Sequence, residues 1–503
     1  MYAHVMMQVR INGQLGDPFA SEVGVKQGDP LSPLLFGLFI DRIEAFIRAR
    51  CPGVGVEMAG MILQVLLYAD DLVLMATSPQ DLQKLLDCLS AFCHASGMTV
   101  NVRKSEVVVF NMKFCTKAHH AAAAGMCYEG KPLTLSEYFM YLGMIFAGDK
   151  SIAHALGKNI TKAKQVTYAM IKKAYAMGAN NVHTLCHLFD SLVVPVLNYG
   201  CELWGPYALA RKTVAEGLGG EVELWHRSVL RQMLGVRSTV ATPILMSELG
   251  RQPISMSWLT QTLRFWNKIC ARPNNDLVKI ALNESVDLAV RHRVRNCWAA
   301  KLNSALCHVG SARITELQAV NVVDVVSNAS RSWQAKMWST LPGMGGDVRC
   351  MPDNCRSGFR LHVYKRWFAQ DKLAPVQSFT YHLFDREQIR VVAQFRMGVH
   401  WLNTVCMPRT IPRSARTCTC CSQGTTGDTS HAREDEMHIF ECPLYSHLRE
   451  KYGCTLAPLS SHHPAHTDAD MSALMNGGND HMFWENLANF LIACKGKRAL
   501  SMA

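Results

Sequence analysis

The sequence predicts an α+β fold: a short β-hairpin with helices comes first, a long helical region follows, and a small cysteine-rich module lies towards the C-terminus. Three observations support this prediction. Two apolar runs flank a pair of aspartates near residue 70, apolar residues recur at helical spacing through the middle of the chain, and cysteine and histidine cluster near residue 420. Strand-like and helical periodicities in separate stretches are typical of an α+β architecture.

The composition is that of a globular protein with a basic surplus. The 503 residues include 52 Lys and Arg against 40 Asp and Glu, so the formal net charge is +12, and 49% of the residues are hydrophobic. Disorder needs low hydrophobicity together with high net charge, so this balance excludes a disordered chain. The length predicts about three domains, and the basic surplus is compatible with a nucleic-acid partner.

Nothing in the sequence predicts a membrane span or a secretory signal. The apolar run from Leu34 to Ile40 is far shorter than the roughly 20 residues that a transmembrane helix needs. Residues 1–13 lack the apolar core of a signal peptide. The 19 Cys are an odd number and mostly scattered, which predicts reduced thiols in an intracellular protein.

Residues 1–149 mix strand-like runs with two well-marked helices. One helix is predicted to begin at Ser32 and Pro33, because Ser can cap a helix and Pro fits its first turn. The other begins after Ser78 in a capping-box-like segment and ends at Gly97.

The segment between these helices carries the first candidate site. Residues 63–77 form two apolar runs around Asp70 and Asp71, a pattern that predicts a β-hairpin with carboxylates at its tip. Two adjacent carboxylates repel each other unless a cation lies beside them. Mg²⁺ binds carboxylates together with substrate phosphates, so this tip suits phosphoryl transfer. A plain turn, in which Asp is simply favoured, is the alternative for an Asp pair alone.

A glycine-containing segment at residues 24–36 precedes the hairpin. Gln27 offers both a donor and an acceptor, and Gly28 allows the backbone to approach a ligand closely. A loop that merely leads into a helix is the alternative interpretation.

Taken together, these motifs resemble the reverse transcriptases of non-LTR (LINE-type) retrotransposons. The resemblance rests on Q-G-D-P-L-S-P at residues 27–33 and Y-A-D-D at residues 68–71. Further landmarks of that family follow in the same order: Gly97 with Asn101 and Lys104-Ser105-Glu106, Tyr141-Leu142-Gly143, Pro195 to Gly200 with Trp204, and Glu248-Leu249-Gly250 with Pro253.

The resemblance implies that residues 1–149 are the C-terminal part of a polymerase palm. Asp70 and Asp71 would hold Mg²⁺ (or Mn²⁺) for two-metal nucleotidyl transfer, the chemistry of an RNA-directed DNA polymerase. Tyr68 and Ala69 would lie beside the primer end and the incoming dNTP.

Three more substrate-binding residues are carried over from the family motifs. Gln27 and Gly28 would touch the template and the nucleotide, and Lys104 would stabilise charge near the departing pyrophosphate. For Lys104 a solvated surface lysine is an equal alternative. The implied partners are an RNA template, a DNA primer or target, and dNTPs, and the implied location is the nucleus; the oligomeric state stays open.

The resemblance also predicts that this polypeptide alone does not polymerise. In the family a further metal-binding acid lies in an F-x-D-x3-A-F-D segment well before Q-G-D-P. The residues before Gln27 offer only Asp17 and Glu22, and neither lies in a matching motif. The template-gripping fingers would also lie upstream. The sequence therefore predicts a palm without its front half, either a truncated copy or one whose start is an internal methionine.

The rest of the chain is predicted to form four segments: a thumb-like helical domain at 150–260, a helical connector at 261–404, a CCHC zinc-binding module at 405–450 and a C-terminal tail at 451–503. Within the connector, Arg291, Arg293 and Arg295 form a basic stripe near Trp298 that can track phosphates and stack a base. A solvated helix face is the alternative.

The zinc prediction rests on ligand spacing. Cys418 and Cys421 form C-x2-C, and His438 and Cys442 form H-x3-C after 16 intervening residues. This spacing is typical of a tetrahedral Zn²⁺ site of the Cys₃His type. Cys420 could replace one thiolate, and reduced thiols without metal are the alternative.

Arg413 and Arg416 precede this cluster and resemble the C-terminal zinc segment of the same family, which implies contact with RNA or DNA. Two further functions stay open beside the polymerase. One is a non-catalytic nucleic-acid-binding remnant that acts through the thumb and the zinc module, and the other is a fragment that completes a split polymerase.

Overall fold

The structure is a computed structural model that forms two compact units, residues 1–155 and 156–503. It describes residues 5–21, 24–26, 28–110, 123, 125–149, 151–217, 219–339, 364, 379–406, 411, 416–418, 421, 434, 436–454, 468–476 and 480–502. The finer division into palm, thumb, connector, module and tail remains a prediction. The described residues form a mixed fold of small hairpins and many helices, and no helix among them is long and apolar enough to cross a membrane.

The strands all lie in the first unit, within the described residues, and pair two by two. Six pairs are antiparallel and one, between residues 106–108 and 134–136, is parallel. The strands are β1 Val5–Met7, β2 Arg10–Ile11, β3 Gln14–Leu15, β4 Phe19–Ser21, β5 Val56–Met58, β6 Met61–Leu63, β7 Val65–Tyr68, β8 Asp71–Leu74, β9 Glu106–Val108, β10 Cys127–Tyr128, β11 Lys131–Pro132, β12 Thr134–Ser136, β13 Tyr138–Tyr141 and β14 Met144–Ala147.

In the described part of this unit, before residue 150, three α-helices and one 3₁₀ turn accompany the strands. They are α1 Ser32–Ile40, α2 Arg42–Arg50, α3 Pro79–Ser96 and the 3₁₀ turn Val102–Lys104. The apolar positions of α3 recur every three or four residues, so one face buries Leu85, Leu89 and Phe92 against α2. Phe46 of α2 meets Phe92 edge to face, with ring centroids 5.2 Å apart. This core supports the hairpin of β7 and β8, whose side chains pack against it.

The helix starts confirm one capping prediction and correct the other. Ser78 accepts the backbone N–H of Asp81, and Gly97 ends α3 in the left-handed region with φ +65°, as predicted. Ser32 does begin α1, but it is not the cap. The residue before it is already helical, so the Ser32 hydroxyl reaches back and donates to the carbonyl of Lys26 at 2.7 Å.

The second unit is helical throughout the described residues. After residue 150 the helices are α4 Ala153–Ala176, α5 Val182–Leu188, a π-helical turn Phe189–Val193, α6 Val194–Leu197, α7 Cys201–Leu209, α8 Lys212–Ala215, α9 Glu221–Leu234, α10 Thr242–Glu248, α11 Ile254–Cys270, α12 Leu277–Val290, α13 Trp298–His308, α14 Val322–Ser339, α15 Phe379–His382, α16 Arg386–Arg396, α17 Asn403–Cys406, α18 His438–Glu441, a 3₁₀ turn Pro443–Tyr445, α19 Ser446–Tyr452, α20 Asp468–Met475 and α21 His481–Met502.

The landmark formed by Pro195 to Gly200 with Trp204 is a site where helices of this unit pack together. Asn198 donates to the Ser257 hydroxyl at 3.0 Å and accepts from the Trp258 indole at 2.9 Å, so it ties this site to α11. The Trp204 indole donates to the Tyr199 carbonyl at 2.9 Å. These residues therefore hold helices together, and this packing is enough to account for the amino acids found at these positions.

The predicted basic stripe lies in a turn and not on a helix face. Residues 291–297 connect α12 to α13, and Arg291, Arg293 and Arg295 are all exposed there. Trp298, in contrast, is half-buried: its ring lies parallel to Trp266, and its indole donates to a backbone carbonyl at 3.1 Å. Trp298 therefore packs the core, and the expectation that it stacks a base is wrong for this conformation.

A fully buried ion pair joins distant parts of the second unit. Arg396 of α16 donates to both carboxylate oxygens of Glu248, which ends α10, at 2.8 and 2.9 Å, and neither side chain is exposed. The Tyr364 hydroxyl donates to the same carboxylate at 2.6 Å, and Arg396 also donates to the Met475 carbonyl. The pair thus has its remaining polar atoms satisfied, which a buried charge requires.

The final helix covers this ion pair. The sequence predicted only a C-terminal tail at 451–503, but α21 is 22 residues long and packs against α15, α16 and α19. Its buried face consists of Trp484, Leu487, Phe490, Leu491 and Cys494. The Arg396 guanidinium lies 5.5 Å from the Phe379 ring and 5.9 Å from the Trp484 ring, so aromatic faces enclose the charge.

Replacing Arg396 should destabilise the second unit strongly. Arg396→Met leaves Glu248 charged and buried without its partner, so we expect a loss of about 3–5 kcal/mol in the free energy of unfolding. Urea unfolding measures this loss. Lys164→Ala is the control, because Lys164 pairs with Glu221 at 2.9 Å on the surface and should cost less than about 1 kcal/mol. Equal losses for the two variants would contradict the assigned role of the buried pair.

Candidate active site and metal centre

The two adjacent aspartates lie at the exposed tip of a tight hairpin. Strands β7 and β8 pair with Tyr68 opposite Asp71, so Ala69 and Asp70 alone make the turn. Tyr68 is 62% exposed, and both aspartates are exposed. The inner residues of both strands pack on the core, so a rigid base presents the two carboxylates to solvent.

The turn itself holds a strained residue. Ala69 has φ +52°, in the left-handed region that costs a non-glycine residue about 1–2 kcal/mol. Such strain persists only when the surroundings impose it, and it concentrates at functional sites. Ala59, Glu129 and Leu142 have the same conformation in other hairpins, so it reflects the two-residue turn and does not by itself set this tip apart.

A second hairpin lies beside this tip. Strands β13 and β14 are joined by Leu142 and Gly143, both with positive φ, +49° and +80°. Burial and the nearby Asp71 carboxylate raise the pKa of Tyr141, which precedes this turn. The Tyr-Leu-Gly landmark is thus within electrostatic range of the aspartates, although 70 positions separate Tyr141 from Asp71.

The glycine segment forms a compact loop before α1. Gly28 has φ +87°, which favours glycine, and no atom lies within 4 Å of where its side chain would begin. Asp29 accepts the backbone N–H of Leu31 at 2.9 Å, which shapes the loop from within. Gln27 lies outside the described residues.

Lys104 lies exposed at the end of the 3₁₀ turn. Its backbone N–H donates to the Asn101 carbonyl at 3.0 Å, and the Ser105 hydroxyl donates to the same carbonyl at 3.1 Å. The N-x2-K-S landmark thus folds as one turn. In the described part of the chain, no third His, Cys, Asp or Glu joins Asp70 and Asp71 in a group suited to a metal.

The four predicted zinc ligands do converge. The Cys421 sulfur lies 3.6 Å from the Cys442 sulfur and 3.6 Å from His438 Nε2, and the Cys418 and Cys442 sulfurs are 3.9 Å apart. All four ligand atoms lie within 4.8 Å of one another. Zn–S bonds of about 2.3 Å in a tetrahedron place sulfurs about 3.8 Å apart, so the spacing fits Zn²⁺. Cys420 lies outside the described residues.

The electrostatics of the cluster also fit a cation. Cys418, His438 and Cys442 are buried. The neighbouring Cys418 thiol, followed by burial, raises the pKa of the Cys442 thiol. Packed thiols resist deprotonation in the absence of a cation, whereas a bound divalent ion stabilises the thiolates. The donor set is therefore one that Zn²⁺ would complete.

Two arginines that the sequence analysis did not single out hold this cluster in place. Arg449 donates to the carbonyls of Ile439 and Cys442 at 3.1 and 2.9 Å, and so fixes the segment with the last two ligands. Arg498 of α21 binds both carboxylate oxygens of Glu434 at 2.6 and 2.9 Å. The sequence around Arg498 does not indicate its partner, because Glu434 lies 64 positions away in the chain.

The arginines predicted to contact nucleic acid lie in different environments. Arg416 is only 4% exposed, and its guanidinium donates to the Ile411 carbonyl, so it supports the module from inside. Arg413 lies outside the described residues. Arg293 and Arg295 are exposed, and Arg291 lies 3.4 Å from Asp287. Contact between any of these residues and nucleic acid stays a prediction.

Comparison with known proteins bears on the first unit above all. Residues 1–146 match the family "Reverse transcriptase (RNA-dependent DNA polymerase)". The chain is 28% identical to the Drosophila melanogaster Pol polyprotein from type-2 retrotransposable element R2DM, over 36% of this chain and 17% of that protein. It is 29% identical to a Popillia japonica Pol polyprotein from type-1 retrotransposable element R2, over 35% of this chain and 29% of that protein.

A third relative is more similar over a shorter stretch. The Xenopus laevis transposon TX1 149 kDa protein is 35% identical over 21% of this chain and 8% of its own length. The matched segments thus span less than a third of each of these three relatives. What those longer proteins do as a whole does not transfer to this chain without a separate argument.

Removing one cluster thiol should release the metal. Metal analysis of the purified chain is expected to give about one Zn²⁺ per chain, and Cys418→Ser should lose it, because three ligands bind far less tightly than four. Cys454→Ser is the control, since Cys454 is a buried thiol outside the cluster. Cys420→Ser should retain zinc. Full retention by Cys418→Ser would disprove this ligand set.

Proposed function

We propose that this chain, whose residues 1–146 are a reverse transcriptase domain with homologues among R2-type non-LTR retrotransposon proteins, contributes to RNA-directed DNA synthesis during retrotransposition. The exposed pair Asp70 and Asp71 at a strained hairpin tip carries the proposal. Its substrates would be an RNA template, a DNA primer or target and dNTPs, and its place of work the nucleus.

Each residue at the tip has a proposed task. Asp70 and Asp71 would hold Mg²⁺ or Mn²⁺, since both carboxylates reach solvent where a phosphate can share the ion. The bound ions would supply charge for attack of the primer 3′-hydroxyl on the α-phosphate and for departure of pyrophosphate. Tyr68 would lie beside the primer end, and Lys104 would face the pyrophosphate as a point charge.

Two observations support the further proposal that this polypeptide does not extend a primer by itself. Two-metal catalysis needs an additional acid, and none joins Asp70 and Asp71 among the described residues. Helix α1 also leaves an apolar face uncovered: Leu34, Leu38 and Phe39 are 60%, 64% and 50% exposed. An apolar face of this kind is typical of a surface that other polypeptide covers.

Helix α4 supports a thumb-like role in holding nucleic acid. Lys158, Lys162, Tyr168 and Lys172 recur at helical spacing, and Tyr168 is 70% exposed. Burial and the nearby Lys162 ammonium lower the pKa of Lys158. Lys162 and Lys172 have no carboxylate within 4 Å in the described part of the chain. Unneutralised cations beside an aromatic ring suit a phosphate backbone.

The zinc module has a supporting role in this proposal. Zn²⁺ at Cys418, Cys421, His438 and Cys442 would order a segment too polar to fold by burial. Exposed cations, among them Arg293 and Arg295 in the turn before α13, would add contacts to RNA or DNA. A non-catalytic nucleic-acid-binding protein is the second candidate, and it is favoured because no third acid among the described residues joins the pair at the hairpin.

A primer-extension assay tests the proposed inactivity. The purified chain, given an RNA template, a DNA primer, dNTPs and Mg²⁺, should bind the hybrid and yield no extended product. Templated extension that Asp71→Asn abolishes would refute the proposed inactivity and establish a complete active site.

The metal at the hairpin can be mapped without any turnover. Fe²⁺ in place of Mg²⁺, with ascorbate and peroxide, should cleave the polypeptide near residues 68–71 when the hybrid is bound. Asp70→Asn/Asp71→Asn should abolish that cleavage and leave binding of the hybrid intact. Cleavage that persists in the double variant would remove the assignment of these two acids.

Helix α4 gives a separate prediction about salt dependence. Lys162→Ala/Lys172→Ala should weaken hybrid binding and lower the slope of log K against log salt by about 2, because each lost phosphate contact removes about 0.9. Lys164→Ala is the control, since Lys164 already pairs with Glu221. Fluorescence anisotropy over a salt series measures both quantities. An unchanged slope in the double variant would exclude α4 as a phosphate-binding helix.

A further inference from the structure

A cavity of about 340 Å³ lies in the second unit between the C-terminal end of α9 and the first turns of α16. No proposed step of DNA synthesis uses it. It is lined by Met233, Gly235, Arg386, Glu387, Ile389 and Arg390. Its volume lies at the lower end of the range typical of small-ligand sites and exceeds the size of a phosphate group.

Arg386 is held at the cavity by an aromatic ring. Its guanidinium carbon lies 4.1 Å from the centroid of the Tyr175 ring, which belongs to the last turn of α4. In the described part of the chain Arg386 has no carboxylate within 4 Å. The ring therefore orients the cation without neutralising it, and the planar fork stays available for an oxyanion.

Arg390 is held by close backbone packing. Gly235 has φ +64°, which favours glycine, and a side chain there would begin 3.2 Å from Cβ and Cγ of Arg390, so the α9 end packs closely on the arginine stem. Gln394, one turn later on α16, donates to the Gly235 carbonyl at 3.4 Å. The α9 end and α16 are thus locked together at the point where Arg390 enters the cavity.

The Arg390 guanidinium lacks one acceptor. Its Nε is shielded from solvent and has no hydrogen-bond partner in the described part of the chain, and its Nη2 lies 3.5 Å from a carboxylate oxygen of Glu387. An enclosed guanidinium N–H without an acceptor is unfavourable, and an anion in the cavity would satisfy it. Two guanidiniums against one carboxylate leave the cavity with a net positive charge.

We propose that this cavity binds a phosphate of a nucleic-acid strand through Arg386 and Arg390. Arginine forks recognise phosphate by paired, charge-assisted hydrogen bonds. The Tyr175 ring lies against Arg386, and the Gly235 turn lies against the stem of Arg390. Helix α4 leads to the same place, because Lys172 lies about one turn before Tyr175. The choice of a nucleic acid as the source of the phosphate rests on the proposed function.

The phosphate can belong to the interior of a strand or to its 5′ end. An internal phosphodiester would extend the track along α4, whereas a terminal monophosphate carries more negative charge and would favour strand ends. Two RNAs of one sequence, with a 5′-hydroxyl or a 5′-phosphate, separate these sources. A preference of the wild-type chain for the phosphorylated RNA, lost in the variant, assigns the terminal group; equal binding assigns the internal one.

The test is RNA binding by anisotropy with the full chain over a salt series. Arg386→Gln/Arg390→Gln should bind single-stranded RNA at least about tenfold more weakly, and the slope of log K against log salt should fall by about 1.4, at about 0.7 per contact. Arg386→Lys keeps the charge without the fork, so it should bind RNA more weakly than the wild-type chain and more tightly than the double variant. Arg331→Gln, at an exposed arginine of α14, is the matched control.

The outcomes separate this inference from the proposed function. If the double variant binds RNA with the affinity and the salt slope of the wild-type chain, the phosphate site is overturned. The proposed function then still stands. Weaker binding with an unchanged slope would also overturn the phosphate site, because no phosphate contact would have been lost. Failure of the wild-type chain to bind any nucleic acid would overturn both. A thermal melt of each variant confirms that the fold is retained.

Discussion

The second unit depends on one buried ion pair, Glu248 with Arg396. A charge buried without a partner costs several kcal/mol, so the fold must bring these two side chains together and satisfy their remaining polar atoms. It does so with the Tyr364 hydroxyl and the Met475 carbonyl, which come from two other parts of the chain. Four segments are thus fixed by the need to neutralise one charge, and aromatic rings close the site to water.

The Cys/His cluster is connected to that arrangement through the last helix. Helix α21 packs over the ion pair through Trp484, and its far end carries Arg498, which binds Glu434 beside the cysteine cluster. The cluster therefore rests on the helical core and does not depend on a loop alone. These bonds, together with buried Ile439 and Phe440, hold the segment so that four donor atoms lie within 4.8 Å of one another.

The hairpin of the first unit, in contrast, carries its charges on the surface. Its two aspartates are exposed at the tip, so burial does not stabilise this end of the hairpin. The core of α2 and α3 supports the strands instead, and the backbone strain of Ala69 is tolerated at the end of a rigid ribbon. The second unit thus encloses its central ion pair, whereas the first unit presents its paired carboxylates to solvent.

The sequence alone determined whatever depends on near neighbours. Adjacent aspartates between apolar runs predicted the hairpin, and Ser78 and Gly97 predicted the limits of α3. Cysteine and histidine spacing predicted the four side chains that converge, because turns, caps and knuckles are local geometries. It could not show that Arg416 is buried, that Trp298 packs on Trp266, or that Arg396 meets Glu248 across 148 positions. Only the tertiary structure decided those roles, since a charge or a ring acquires its function from partners that folding alone brings near.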